Sequence, residues 1–166
     1  MSRVWFNGDI IDGDIALDPR DRGFALGDGL FETMLIVNHT PLWANMHLAR
    51  MESAALELGI RFDRRKIDKS IAVVLEDTAA HHHVLRVTLS RGSGARGLAG
   101  TGSVPSLLIT LDDFDAQLMF QPVTLITSAI RRSTASPSTR LKTLSYIDNV
   151  AAAREAGDAG FDVLIA

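Results

Sequence analysis

Two β-rich runs, VLRVTLS and PSLLITL, flank the glycine-rich stretch RGSGARGLAGTGS. Val, Ile, Leu and Thr suit a pleated, half-buried surface, and glycines let a chain reverse at no steric cost. The arrangement reads as two strands joined by a flexible hairpin tip, which commits this part of the chain to a sheet. The segments before it supply more strands and a helical layer. RVWFNGDIIDGDIAL reads as a hairpin with turn signals at Asn7-Gly8 and Asp12-Gly13. DPRDRGFALGDG is a turn-rich connection, and LFETMLIVNHTPLWA gives a strand, a turn at Asn38 to Thr40 and a short return strand. Asn45 then reads as an N-cap, with Leu48, Met51, Ala55 and Leu58 recurring at helical spacing until Gly59. A second helix spans DRRKIDKSIAVVLEDTA, with Ile67, Ile71, Val74 and Leu75 on one face. The fold class is α+β.

Charge and irregular spacing in DDFDAQLMFQ interrupt this pattern, so the expected division is a first α+β domain over 1–111, a linker over 112–121 and a second unit over 122–166. The second unit reads as strand PVTLITSAI, polar loop RRSTASPSTR, a helix from about Leu144 to Ala156 and strand FDVLIA. Two strands and a helix bury too little apolar surface to stand alone. This unit is therefore expected to be the first part of a larger domain, and the chain to be cut. Expressed as it stands, it is expected to be unstable or associated.

A net charge of -3 leaves no basic field for nucleic acid and no polybasic patch for a membrane. Anionic ligands must then be held by individually placed arginines. The absence of cysteine excludes disulfides, thiolate metal sites and cysteine nucleophiles. MSRVWFNGDI lacks the apolar core of a signal peptide and no apolar run approaches membrane-spanning length, so a cytoplasmic protein is expected.

Four groups of residues carry possible chemistry. GSGARG, from Gly92 to Gly97, matches a dinucleotide fingerprint in letters, but a strand follows where the motif needs a helix. Arg91 and Arg96 beside those glycines are placed to grip a carboxylate. His81 to His83 offer two same-face imidazoles on a strand and no third metal ligand, so a solvated loop leading into a strand is expected there. His47 and Arg50 share a helix face, where an arginine either pairs with a surface carboxylate or fixes a phosphate bidentately. Lys142 stands beside apolar residues in LKTLSY, four residues before Tyr146, the only tyrosine. A lysine becomes nucleophilic where burial or a cationic neighbour favours its neutral form.

Taken in order, DRGFALGDGLFET, HLARMESAALELGI, SRGSGARGL and RLKTLSYIDNVAAAREA resemble the fold-type IV pyridoxal-phosphate enzymes. These are the class IV aminotransferases: branched-chain and D-amino-acid aminotransferases and aminodeoxychorismate lyase. The resemblance covers Arg3 to Ala166 and implies a two-domain architecture whose second domain is incomplete here. It implies pyridoxal 5′-phosphate as cofactor, held by Lys142 as a Schiff base, with Arg50 on its phosphate and Tyr146 near its pyridine ring. Phe31 falls where the family places an aromatic facing the substrate, and Arg96 is expected near the substrate carboxylates. The glutamate that the family pairs with the pyridine nitrogen lies beyond FDVLIA. The implied activity is amino-group transfer on a small branched-chain or D-amino acid, in a homodimer that binds amino and keto acids. The alternatives are pyruvate release from aminodeoxychorismate, giving 4-aminobenzoate, and a non-catalytic binding or assembly module.

Overall fold

The computed structural model describes residues 3–76, 78, 81–100 and 104–160, together with the backbone of 163–165. Strands β1 (Arg3–Phe6) and β2 (Asp9–Ile11) meet at a turn in which Asn7 and Gly8 take positive φ values of 52° and 141°. A short helix α1 (Arg22–Leu26) is capped by Asp21, whose carboxylate accepts the amides of Gly23 and Phe24. Strand β3 (Gly29–Val37) turns through Asn38 and His39, both at positive φ, into β4 (Thr40–Pro41). Two helices follow, α2 (Ala44–Leu58) and α3 (Arg64–Leu75), and then the long strands β5 (His82–Ser90) and β6 (Ser106–Asp113).

These six strands form one sheet in the order β2-β1-β6-β5-β3-β4, antiparallel throughout. Period-two alternation divides its faces. On β5, His83, Leu85, Val87 and Leu89 are buried, while Val84, Arg86 and Thr88 are half-buried on the other face. The buried face packs with Leu30, Met34, Ile36 and Ile109 against Leu48, Met51 and Ala55 of α2 and Ile67, Ile71 and Val74 of α3. The helical spacing read from the sequence therefore marks the core, and Gly59 ends α2 in the left-handed conformation at φ 65°.

Asn45 is not an N-cap. Trp43 takes the left-handed conformation and α2 begins at Ala44, which puts Asn45 inside the helix. There its Oδ1 accepts a 2.7 Å hydrogen bond from Arg64 Nη2 of α3. Asp63 caps α3, accepting the Lys66 amide at 3.0 Å. Asp63→Ala is expected to cost about 1 kcal/mol, read as a lower urea midpoint with an unchanged slope.

The histidine run also departs from expectation. His82 and His83 belong to β5, paired with Val37 and Ile36, because β3 extends far enough to recruit them. His83 is buried, its ring stacks on His81 at 5.9 Å, and no metal-binding group of side chains occurs among the described residues.

After β6 the chain makes a 3-10 turn (Ala116–Leu118), strand β7 (Leu125–Thr127), a single helical turn α4 (Pro137–Arg140), helix α5 (Ile147–Asp158) and strand β8 (Val163–Ile165). β7 and β8 pair in parallel. β6 runs to Asp113, two residues into the segment read as a linker. Helix α5 starts at Ile147 rather than near Leu144, because residues 142–144 are drawn into extended pairing with β3. Among the described residues no helix is long and apolar enough to cross a membrane.

Candidate active site

β3 has two edges, and one of them is unevenly covered. β5 pairs along its whole length, whereas β4 reaches only Ile36 and Val37 on the other side. The backbone at 29–31 is left with open donors and acceptors, which burial makes costly. The stretch Lys142-Thr143-Leu144 satisfies them. The Phe31 amide donates to the Lys142 carbonyl at 3.1 Å, the Leu144 amide donates to the Gly29 carbonyl at 2.9 Å, and Thr143 lies opposite Leu30. Gly29 permits this approach, since a Cβ there would lie 2.7 Å from Leu144 Cδ1 and 2.6 Å from the Leu89 carbonyl oxygen. The register brings Lys142 beside Phe31.

Lys142 Nζ lies 4.1 Å from the Phe31 ring centroid and 5.3 Å from that of Tyr146, with a long 3.5 Å hydrogen bond to the Tyr146 hydroxyl. The two rings meet edge to face at 5.0 Å. A second cation shares the Phe31 ring, with Arg86 Cζ 3.7 Å from its centroid. Cations are drawn to the negative face of an aromatic ring, so each is attracted to Phe31 while the two like charges repel one another.

Glu32, next along β3, points the other way, into the helical layer. Its buried carboxylate accepts Arg50 Nε and Nη2, both at 2.6 Å, and meets His47 Nδ1 at 2.8 Å. Burial pushes the Glu32 carboxyl up, but Arg50 and His47 outweigh it and hold the group below the usual carboxylate range. The bond to Glu32 correspondingly raises the Arg50 guanidinium above its ordinary value. His47 and Arg50 thus share a helix face as expected, and both serve one buried acid. Arg50 remains 58% exposed, and its Nη1 donates to nothing among the described residues.

Arg50, Lys142, Phe31 and Glu32 line one cavity of about 250 Å³, together with Arg140, which is ion-paired to Glu57 at 2.7 Å. A larger cavity of about 700 Å³ lies where α3 begins, between Phe62, Ile67, Leu89 and Leu107. Its walls include Lys66 and Asp63, whereas Phe31, Arg50 and Lys142, singled out from the sequence, all line the smaller one.

The glycine-rich loop is held from beneath. Arg91 makes a two-pronged pair with Asp28 at 2.7 and 3.0 Å and donates to the carbonyls of Leu58 and Gly59. It grips a carboxylate, as expected of it, but one belonging to its own chain. The buried Arg22 also pairs with Asp28 and donates to the carbonyls of Gly97 and Leu98. Arg96 is exposed on that loop, neither lining the cavity nor hydrogen-bonded to Lys142 or Tyr146. Sequence reasoning missed Glu32 and Arg86. The available signal for Glu32 was a carboxylate at an inward position of an apolar strand, which demands a cationic partner.

A family described as Amino-transferase class IV matches residues 29–166. The aminodeoxychorismate lyase of Bacillus subtilis (strain 168) is 30% identical over 164 residues, which cover 93% of this chain and 55% of that protein. The D-alanine aminotransferase of Bacillus licheniformis is 28% identical over 97 residues, covering 57% of this chain and 34% of the relative. Among solved structures, the PLP-bound form of a hypothetical aminotransferase from Mycobacterium tuberculosis superposes with a TM-score of 0.83 at 25% identity, covering 99% of this chain and 62% of that one. The chain spans about half the length of the first of these curated relatives. Because the family match runs over residues 29–166, most of the 166-residue sequence, the chain belongs to the class IV aminotransferase family.

Proposed function

We propose that Lys142 is the attachment point of pyridoxal 5′-phosphate, and that the complete protein uses it to transfer the amino group of a small amino acid. The carrying observation is that one cavity is lined by a primary amine and two guanidiniums, Lys142, Arg50 and Arg140. That donor set fits the group chemically: an aldehyde needs an amine, a phosphate needs fixed cations, and a flat ring needs a wall such as Phe31. Pyridoxal phosphate, when bound, supplies the electron sink that makes an amino acid's α-hydrogen acidic.

The residues divide the work by position. Lys142 would hold the cofactor through Nζ, and as a free amine it would serve as the base that moves the proton at the substrate α-carbon. Glu32 and His47 orient Arg50, leaving Nη1 to meet a phosphate oxygen. Tyr146 and Phe31 flank Nζ. Arg96 is assigned to a substrate carboxylate on the side of the glycine-rich loop. Arg50→Ala is expected to weaken cofactor affinity by about 1.5 to 3 kcal/mol, with Arg50→Lys recovering only part, since an ammonium makes no bidentate pair. Equilibrium titration with the cofactor checks it.

A second reading, pyruvate release from aminodeoxychorismate, has one specific observation in its favour. The relative matched along 93% of this chain is named for that lyase activity. Both readings place the cofactor on Lys142 and are tested together. Borohydride reduction of the loaded protein should label the peptide containing Lys142, and label on another lysine rejects the proposal. Assay with aminodeoxychorismate against a panel of L- and D-amino acids then separates lyase from aminotransferase.

A further inference from the structure

Helix α3 carries its cations at the wrong end. Arg64, Arg65 and Lys66 form its first turn, with no acid among them, and its last turn holds no basic residue. The dipole of a helix is positive at its N-terminus, so cations there are repelled by the backbone as well as by one another. Arg64 is accounted for: its Nε donates to Asp68 at 3.0 Å and its Nη2 to Asn45 at 2.7 Å. The side chains of Arg61, Arg65 and Lys66 make no ion pair and no hydrogen bond among the described residues. Asp63 is spent on capping, its carboxylate accepting the Lys66 amide, so the helix terminus itself is already satisfied.

All three free cations line the cavity of about 700 Å³ where α3 begins. The floor of that cavity is apolar: Ile67, Leu89 and Leu107 belong to the core on the helix side of the sheet. Half-buried Phe62 and Pro105 form its walls. The wall at Pro105 is braced from behind, because Gly92 at φ 85° lies so close that a Cβ there would overlap the Val104 carbonyl oxygen. Water on an apolar floor is unfavourable, and so is a group of like charges with no counter-charge. One molecule with an apolar body and an anionic head relieves both. The volume falls within the range of about 300 to 1,000 Å³ that holds small ligands, and two guanidinium forks with an ammonium suit a doubly charged phosphate.

We propose that this cavity binds a small phosphate monoester with an apolar body. The body lies on Ile67, Leu89 and Leu107, and the phosphate lies between Arg61, Arg65 and Lys66. The inference does not depend on the role given to Lys142.

The test uses the complete protein, loaded with pyridoxal phosphate and freed of the excess, so that a phosphate site beside Lys142 is already filled. Binding of 1-naphthyl phosphate, 1-naphthol and inorganic phosphate is measured by calorimetry at low salt. Naphthyl phosphate is expected to saturate one site with a Kd below about 1 mM, and the other two to bind at least about 10-fold more weakly, since each offers only half of the match. Replacing Arg61→Gln and Arg65→Gln together is expected to weaken naphthyl phosphate about 10-fold and to leave naphthol unchanged. Replacing Lys69→Gln and Arg154→Gln together removes the same charge from outside the cavity and should alter neither. All four residues are exposed, so both double variants are expected to fold. Several results overturn the proposal: no saturable binding of naphthyl phosphate, naphthol or inorganic phosphate binding as tightly, or no loss in the Arg61 and Arg65 variant. An equal loss in the two double variants also overturns it, because the cations would then act only as a diffuse field.

Discussion

Lys142→Ala is expected to abolish covalent attachment of the cofactor and to lower turnover of the complete protein by on the order of 10⁴-fold or more, the scale seen when an enzyme loses its nucleophile. The fold is expected to survive. Lys142 contributes to the sheet through its carbonyl, which accepts the Phe31 amide, and any residue supplies a carbonyl. Its side chain adds contacts with Phe31 and Tyr146. The thermal midpoint without cofactor should therefore move little while labelling and turnover vanish. Substantial turnover in the Ala variant would remove Lys142 from the chemistry. A large drop in melting temperature would instead make it a structural residue of the β3 edge.

Glu32→Gln is expected to cost about 2 to 4 kcal/mol of stability at neutral pH, less than a fully buried pair because Arg50 is largely exposed. The amide leaves one oxygen for three donors, and two of them belong to Arg50. The loss should also depend on pH. Glu32 is held below its ordinary range in the folded protein, so its stabilising contribution is present above the unfolded carboxyl pKa of about 4.5. It is lost as pH falls through the lower, folded value. Urea midpoints of the unaltered protein should therefore fall from about pH 5 toward acid more steeply than those of Glu32→Gln. Parallel slopes for the two proteins would mean that the carboxylate is not the group being titrated. Cofactor affinity should drop along with stability, because Arg50 loses the partner that orients it.

The two largest effects meet β3 at adjacent positions, Phe31 and Glu32, that face opposite ways. Phe31 presents its ring to Lys142, and Glu32 presents its carboxylate to α2. Strand alternation thus separates the Lys142 amine from the carboxylate that orients Arg50. One cavity is nonetheless lined by both Lys142 and Glu32.

Local pattern was enough to determine much of this protein. β-Rich runs marked β3, β5 and β6, helical spacing marked the buried faces of α2 and α3, and Asn7-Gly8 and Gly59 marked a turn and a cap. These features depend on residues a few positions apart, so a short window contains their cause. Resemblance singled out Lys142 and Arg50 without showing how they come together. What remained was decided by pairings between residues far apart in the chain. Lys142 reaches Phe31 because the uncovered edge of β3 needs hydrogen-bond partners, and the same demand delays α5 to Ile147. Arg91 pairs with Asp28 because the turn-rich connection lies beneath the glycine-rich loop, while Arg86 lies on the Phe31 ring and donates to Thr88. Asn45 lost its capping role because Trp43 adopts a left-handed turn after β4, and Arg64 of α3 takes its side chain instead. Charge and backbone groups must be satisfied wherever burial removes water, and only the tertiary structure determines which distant residues are there to satisfy them.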